Sequence, residues 1–216
     1  MTTKFSLTVP VFFLAIAAPG TFNAETKITH SIDSAKSKIE IQVAKDGFFK
    51  AFGHDHLVST THFSGSLRLA ESKMEESFVT FTAEANSLRV IDPGESEKDR
   101  SEVQATMLGE QVLDVARYPQ IQFSSSTTKV VSASRNTFDL QVSGPLTLHG
   151  TQKPVTLPVH LKISDDGSLT CDAEISLLQS DFGITPYKAA GGAVKVKDKL
   201  KLTFHIVATR AASSAN

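Results

Sequence analysis

Apolar and polar residues alternate with a period of two through most of the chain beyond its first two dozen positions. Ile39, Ile41 and Val43 are separated by polar residues, as are Val79, Phe81, Ala83 and Ala85, and Phe138, Leu140 and Val142. The longest run is Val155, Leu157, Val159, Leu161 and Ile163. It resumes as Leu169, Cys171, Ala173, Ile175 and Leu177 after the turn residues Asp165, Asp166 and Gly167, and returns as Leu200, Leu202, Phe204 and Ile206. A period of two sets one face of a strand toward a core and the other toward water. Short strands punctuated by Gly, Asp and Pro predict an antiparallel sandwich or barrel. One stretch breaks the rule: from Glu97 to Val115 the apolar residues Val103, Met107 and Val112 fall at roughly helical spacing. The expected fold is therefore all-β, one antiparallel domain of about eight strands, a sandwich or a barrel, with a short helical insertion.

The first residues follow another plan. Lys4 precedes an apolar run from Phe5 to Ala18, and small residues continue through Ala24. This is the layout of a secretory signal peptide. The run falls short of the about 20 apolar residues that span a bilayer, and Pro10 interrupts it; a retained N-terminal anchor is the alternative. Cleavage after Ala17, Gly20 or Ala24 fits, with Ala24 preferred. Residues 1–24 are thus expected to be a signal peptide, 25–208 the barrel domain and 209–216 a disordered tail. The mature protein is expected to be exported.

Composition narrows the function. A formal net charge of -1 over 216 residues offers no electrostatic footprint for nucleic acid. The lone cysteine, Cys171, permits no internal disulfide and sits on the apolar parity of its strand, where it reads as a core residue. There are 14 Phe and no Trp. Phe supplies apolar area without a polar handle, which suits a hydrocarbon ligand and an ordinary packed core equally.

Catalytic signatures are missing. There is no G-x-S-x-G nucleophile elbow and no zincin helix. The pairs Glu75-Glu76 and Asp165-Asp166 lie in polar turns. Asp181, Phe182 and Gly183 lack the rest of the kinase signature; Asp181 is expected to cap a turn and Phe182 to pack inward. His149-Gly150 reads as a hairpin turn. The protein is expected not to be an enzyme, unless through a histidine cluster. His54 and His56 are two apart and share one strand face, and His62 has the same parity if the strand is unbroken. Such a set can hold Zn²⁺ or Cu²⁺, donate an imidazole N–H to a quinone carbonyl, or form a polar rim. Leu57, Phe63, Leu67 and Leu69 have the opposite parity and are expected to make the core contacts, which puts the histidines at a mouth.

Several segments resemble the YceI-like polyisoprenoid-binding family. Gly144 to Val155 (GPLTLHGTQKPV) resembles its strand–turn–strand signature, Val112 to Ser124 (VLDVARYPQIQFS) its Y-P-x-I-x-F stretch, and Ser180 to Ile184 (SDFGI) its S-D-F-G motif. Gly191-Gly192 before the last strand is similar too. The chain departs from the common pattern at Asp99 to Val103 and in a Gly53-His54-Asp55-His56 variant. The resemblance implies a lipocalin-like barrel with an apolar tunnel and a bound isoprenoid, either a polyprenyl chain or an isoprenoid quinone, with no other cofactor required. It also implies a periplasmic or secreted setting, in which such a carrier could feed a membrane or a membrane redox protein by transient contact. Strand parity nominates Phe63, Phe81, Phe123, Phe138, Leu146, Leu157 and Phe204 as lining, with His54 and His56 at the headgroup. The alternative is a metal-dependent protein, carrier or enzyme, using His54, His56 and His62.

Overall fold

The computed structural model describes residues 27–46, 55–189 and 194–211. The expected leader, Gly53, His54, the Gly191-Gly192 pair and residues 212–216 lie outside them. In chain order the elements are β1 (Ile28–Ile32), β2 (Lys38–Asp46), β3 (His56–Ser59), β4 (Phe63–Leu69), β5 (Phe78–Glu84), β6 (Arg89–Val90), α1 (Glu97–Leu108), β7 (Gln120–Ser124), β8 (Thr127–Ser134), β9 (Thr137–Leu148), β10 (Thr151–Ile163), β11 (Leu169–Leu178), β12 (Lys188–Ala189) and β13 (Val194–Arg210).

Eight strands close a ring, all antiparallel: β1, β4, β5, β7, β9, β10, β11 and β13, with β13 pairing back to β1. The fold is all-β, as the alternation predicts, and of the sandwich and the barrel that the alternation allows it is the barrel that the family resemblance implies. The 17-residue β13 is its seam. One edge carries β11 throughout. The other carries β2 from Lys195 to His205 and β1 from Ala208 to Arg210. The strand thus runs two residues into the stretch expected as a loose tail, because Thr209 and Arg210 pair with Ser31 and His30. Beyond β2 the sheet continues through β3 to the two-residue β6.

The turns follow local chemistry. β9 and β10 are joined at His149 and Gly150, with φ of 50° and 69°. Positive φ at both central positions is the geometry of a two-residue hairpin turn. The β10–β11 turn bends at Gly167, with φ of 77°.

The helical stretch yields one helix, which ends at Leu108 rather than continuing to Val115. The Ser96 hydroxyl caps it, accepting from the Asp99 N–H at 3.1 Å. Val103, Met107 and Leu108 pack against Val58, Leu88 and Val90. The Gln104 amide accepts from the Val90 N–H and donates to the Leu88 carbonyl at 2.8 and 2.7 Å. One side chain thereby occupies backbone groups on the edge of the short β6, where a free edge would otherwise remain.

Interior positions are not equally buried. Around Leu169 and Ala208 the barrel is filled, and the buried Leu69, Met74, Leu140 and Leu161 form the boundary of that filled end. Further along the same strands, the inward residues Leu157, Ala173, Ile175, Leu202 and Phe204 are only half-buried, while their outward neighbours are exposed. A packed interior buries such residues fully. Here they face a hollow.

Candidate functional site

The hollow has a volume of about 630 Å³, and its wall is overwhelmingly apolar. Of the lining nominated from parity, Phe81, Phe123, Leu146, Leu157 and Phe204 stand in this wall. Phe63 and Phe138 do not. Phe63 has the inward parity but is buried against Ile39 and Ala83, its ring 5.7 Å from that of Phe81. Phe138 packs from the side against the filled end. Parity gives a direction and not a depth, so it cannot separate the filled end from the hollow one.

The histidines are arranged differently from the reading by parity. His56, with Val58 and Thr60, faces the cavity, and it is in β4 that Phe63, Leu67 and Leu69 take the inward side. The even-to-odd switch occurs in the break between the strands. There the Thr60 hydroxyl accepts from the His62 N–H at 3.1 Å and bonds the buried Ser87 hydroxyl at 2.7 Å. Leu57 therefore does not share the core side with Phe63. His62 is exposed, its ring meeting the Thr61 hydroxyl at 3.4 Å. The structure does not unite His56 and His62 on one face, and His54 lies outside the described residues.

His56 instead meets residues distant in sequence. The register that sets Val58 against Val90 and Ser59 against Arg89 brings Asp92 opposite His56. The imidazole Nδ1–H donates to Asp92 Oδ2 at 2.6 Å, and Asp92 Oδ1 accepts from the Leu57 N–H. The Asp92 side chain is 1% exposed. Gly94, at φ of 88°, turns the chain so that Glu95 comes back to the same place, where its carboxylate lies 3.6 Å from Lys45 Nζ. The ligand atoms of His56, Asp92 and Glu95 all lie within 4.8 Å of one another. The sequence reading missed Asp92, Glu95 and Lys45. The signal that points to them is a pair of carboxylates three apart in the turn Asp92-Pro93-Gly94-Glu95, immediately before a helix cap.

The motif residues converge on a structural joint. Tyr118 packs on His149 with ring centroids 4.4 Å apart. The His149 Nδ1 lies 3.3 Å from the carbonyl of Phe182, which is 1% exposed. Asp181 is exposed and is not the cap expected of it. The turn is held instead by Asp198, which accepts from the Ser180 N–H and hydroxyl at 2.8 and 2.6 Å. Those bonds from Ser180 hold the Asp198 carboxyl below its ordinary range. Burial pushes the Cys171 thiol up to about 12, so it stays protonated and packs as an apolar group.

Comparison with known proteins agrees with this architecture. The model of the YceI-like domain matches residues 12–208. A UPF0312 protein of Enterobacter sp. (strain 638) is 33% identical over 99 residues, 46% of this chain and 45% of that protein. Protein YceI of Salmonella arizonae is 29% identical over 128 residues, 57% and 60% of the two chains. The matched stretches thus span roughly half of these relatives' length. Among solved structures, BcnA of Burkholderia cenocepacia superposes with a TM-score of 0.63 at 24% identity, over 82% of this chain and 99% of that one. A polyisoprenoid binding domain from Saccharophagus degradans superposes with a TM-score of 0.59 at 12% identity, over 86% and 100%.

Proposed function

Because the chain belongs to the YceI-like family, we propose that it is an exported carrier that holds one long apolar isoprenoid lipid, a polyprenyl chain or an isoprenoid quinone, inside its barrel. The observation that carries this reading is the ring of half-buried aliphatic and Phe side chains around the hollow. A hydrocarbon chain there contributes roughly 25 cal/mol for each Å² it withdraws from water. Each isoprene unit adds its own increment, and together the increments must exceed the about 4–15 kcal/mol that association costs in lost freedom, so a long tail is favoured over a short one. The likeness to a polyisoprenoid binding domain supports the same ligand class.

The polar end of the cavity receives the headgroup. In the neutral imidazole, donation from Nδ1 to the Asp92 carboxylate leaves Nε2 as an acceptor. In that state His56 suits a hydroxyl, as in an isoprenol or a reduced quinone. The proposed role is binding and delivery, with transient contact at a membrane or a membrane redox protein.

Protein purified from the cell envelope is extracted with organic solvent, and the extract is identified by mass spectrometry. The expected result is about one isoprenoid per chain. Delipidated protein that takes up no polyprenyl or quinone lipid of any length would overturn the proposal.

A further inference from the structure

We propose that His56, Asp92 and Glu95 form a binding site for one zinc ion at the edge of the cavity. Three observations point to it. The candidate ligand atoms already lie within 4.8 Å of one another, and modest closure brings them to the about 2.0–2.2 Å zinc–ligand distances of nitrogen and carboxylate donors. The ligands stand on an anchored frame. His56 opens β3, and the carboxylates sit on a turn tied to β3 by the Ile91 N–H to the Leu57 carbonyl at 2.8 Å and to α1 by the Ser96 cap. Lastly, two shielded carboxylates face one ammonium there: Asp92 is 1% exposed, Glu95 13% and Lys45 19%. The formal excess of negative charge is what a divalent ion removes.

The donor set selects the metal. One imidazole nitrogen with two carboxylates suits zinc and related transition ions, whereas calcium and magnesium prefer oxygen alone. Three protein ligands leave a fourth position, as in zinc sites that bind a further group. His56 and Lys45 both belong to the cavity wall, so that position is available to water or to an oxygen of a cavity ligand. Coordination through Nδ1 moves the ring proton to Nε2 and turns that nitrogen from acceptor to donor. Lys45 is the built-in competitor for Glu95. The inference does not depend on the lipid, since it rests on these side chains alone.

The test uses chelator-treated, delipidated protein titrated with Zn²⁺ in a calorimeter, and with Co²⁺ followed by visible absorption. The expected result is one ion per chain. Glu95→Gln and His56→Ala each weaken zinc at least tenfold, Lys45→Met tightens it severalfold, and Co²⁺ develops the absorption of four-coordination. Circular dichroism of Glu95→Gln, a change on a partly exposed turn, confirms that the fold is kept, so the outcome stands even if His56→Ala unfolds. Zinc binding that Glu95→Gln leaves unchanged overturns the site, because the ion is then held by other histidines. So does the absence of saturable uptake. Loss of lipid binding with zinc binding intact refutes the carrier reading and leaves this one standing.

Discussion

Two leucines on the same face of β10 show how much a single residue's depth matters. Leu161 is 2% exposed where the filled end closes the hollow, and Leu157, four residues earlier, is half-buried along the hollow's wall. Truncating a leucine in a packed core loses its transfer energy and leaves a void, together about 2–5 kcal/mol. Leu157 already borders a void and forfeits only part of its contacts. Denaturant midpoints of the delipidated protein are expected to place Leu161→Ala in that range and Leu157→Ala at no more than about 1 kcal/mol. Lipid affinity is expected to reverse the order, with Leu157→Ala weakening uptake more. Equal destabilisation by both changes would mean that the interior is filled along its whole length.

At the level of elements, the joint between the β9–β10 turn and its neighbours depends on one missing side chain. A Cβ at Gly150 falls 2.4 Å from the Tyr118 ring, and the residue holds φ of 69°. Both steric crowding and backbone strain therefore oppose Gly150→Ala, which is expected to cost about 1–3 kcal/mol. With no Trp and two Tyr in the chain, the near-ultraviolet signal of Tyr118 reports the loss directly. An unchanged spectrum and melting temperature would show that the joint yields freely. This turn was legible in the sequence, as were β9, β10, β11 and the inward face of β13, because the barrel wall holds one parity for many residues. The site was not. Reading His56 by parity fails because β3 and β4 are separated by a break at Thr60 to His62 that resets the alternation. Asp92 and Glu95 reach His56 by strand pairing across 36 residues, and no local period encodes such a meeting.

For the molecule as a whole, stability and cargo are coupled. A ligand that binds only the folded state adds RT ln(1 + [L]/Kd), about 2.7 kcal/mol at a hundredfold excess over Kd. For a domain of this size that corresponds to a melting temperature raised by roughly 5–10 °C. Scanning calorimetry of delipidated and reloaded protein checks this, and the same melting point for both would separate cargo from fold. Acid works in the opposite direction. Asp33, Glu76, Asp139, Asp166 and Asp198 all have their carboxyls lowered by hydrogen bonds or neighbouring cations. The stabilisation they contribute is complete above the ordinary carboxylate range and fades as pH falls through their depressed values. Unfolding midpoints are thus expected to hold at neutrality and to decline below about pH 4; a midpoint flat from pH 6 to pH 3 would contradict it.

The seam strand has a temporal meaning as well. Ser37 of the β1–β2 connection bonds Val207 across 170 residues, and β1 closes the ring on the last residues of β13. Contacts this far apart form slowly, because loop closure must precede any reward. A chain emerging from the ribosome N-terminus first presents β1 and β2 long before β13 exists to cover them. Until then it is an open sheet with two unpaired edges, the form most prone to wrong partners. The interval between synthesis of β2 and arrival of β13 is therefore when a chaperone has most to guard.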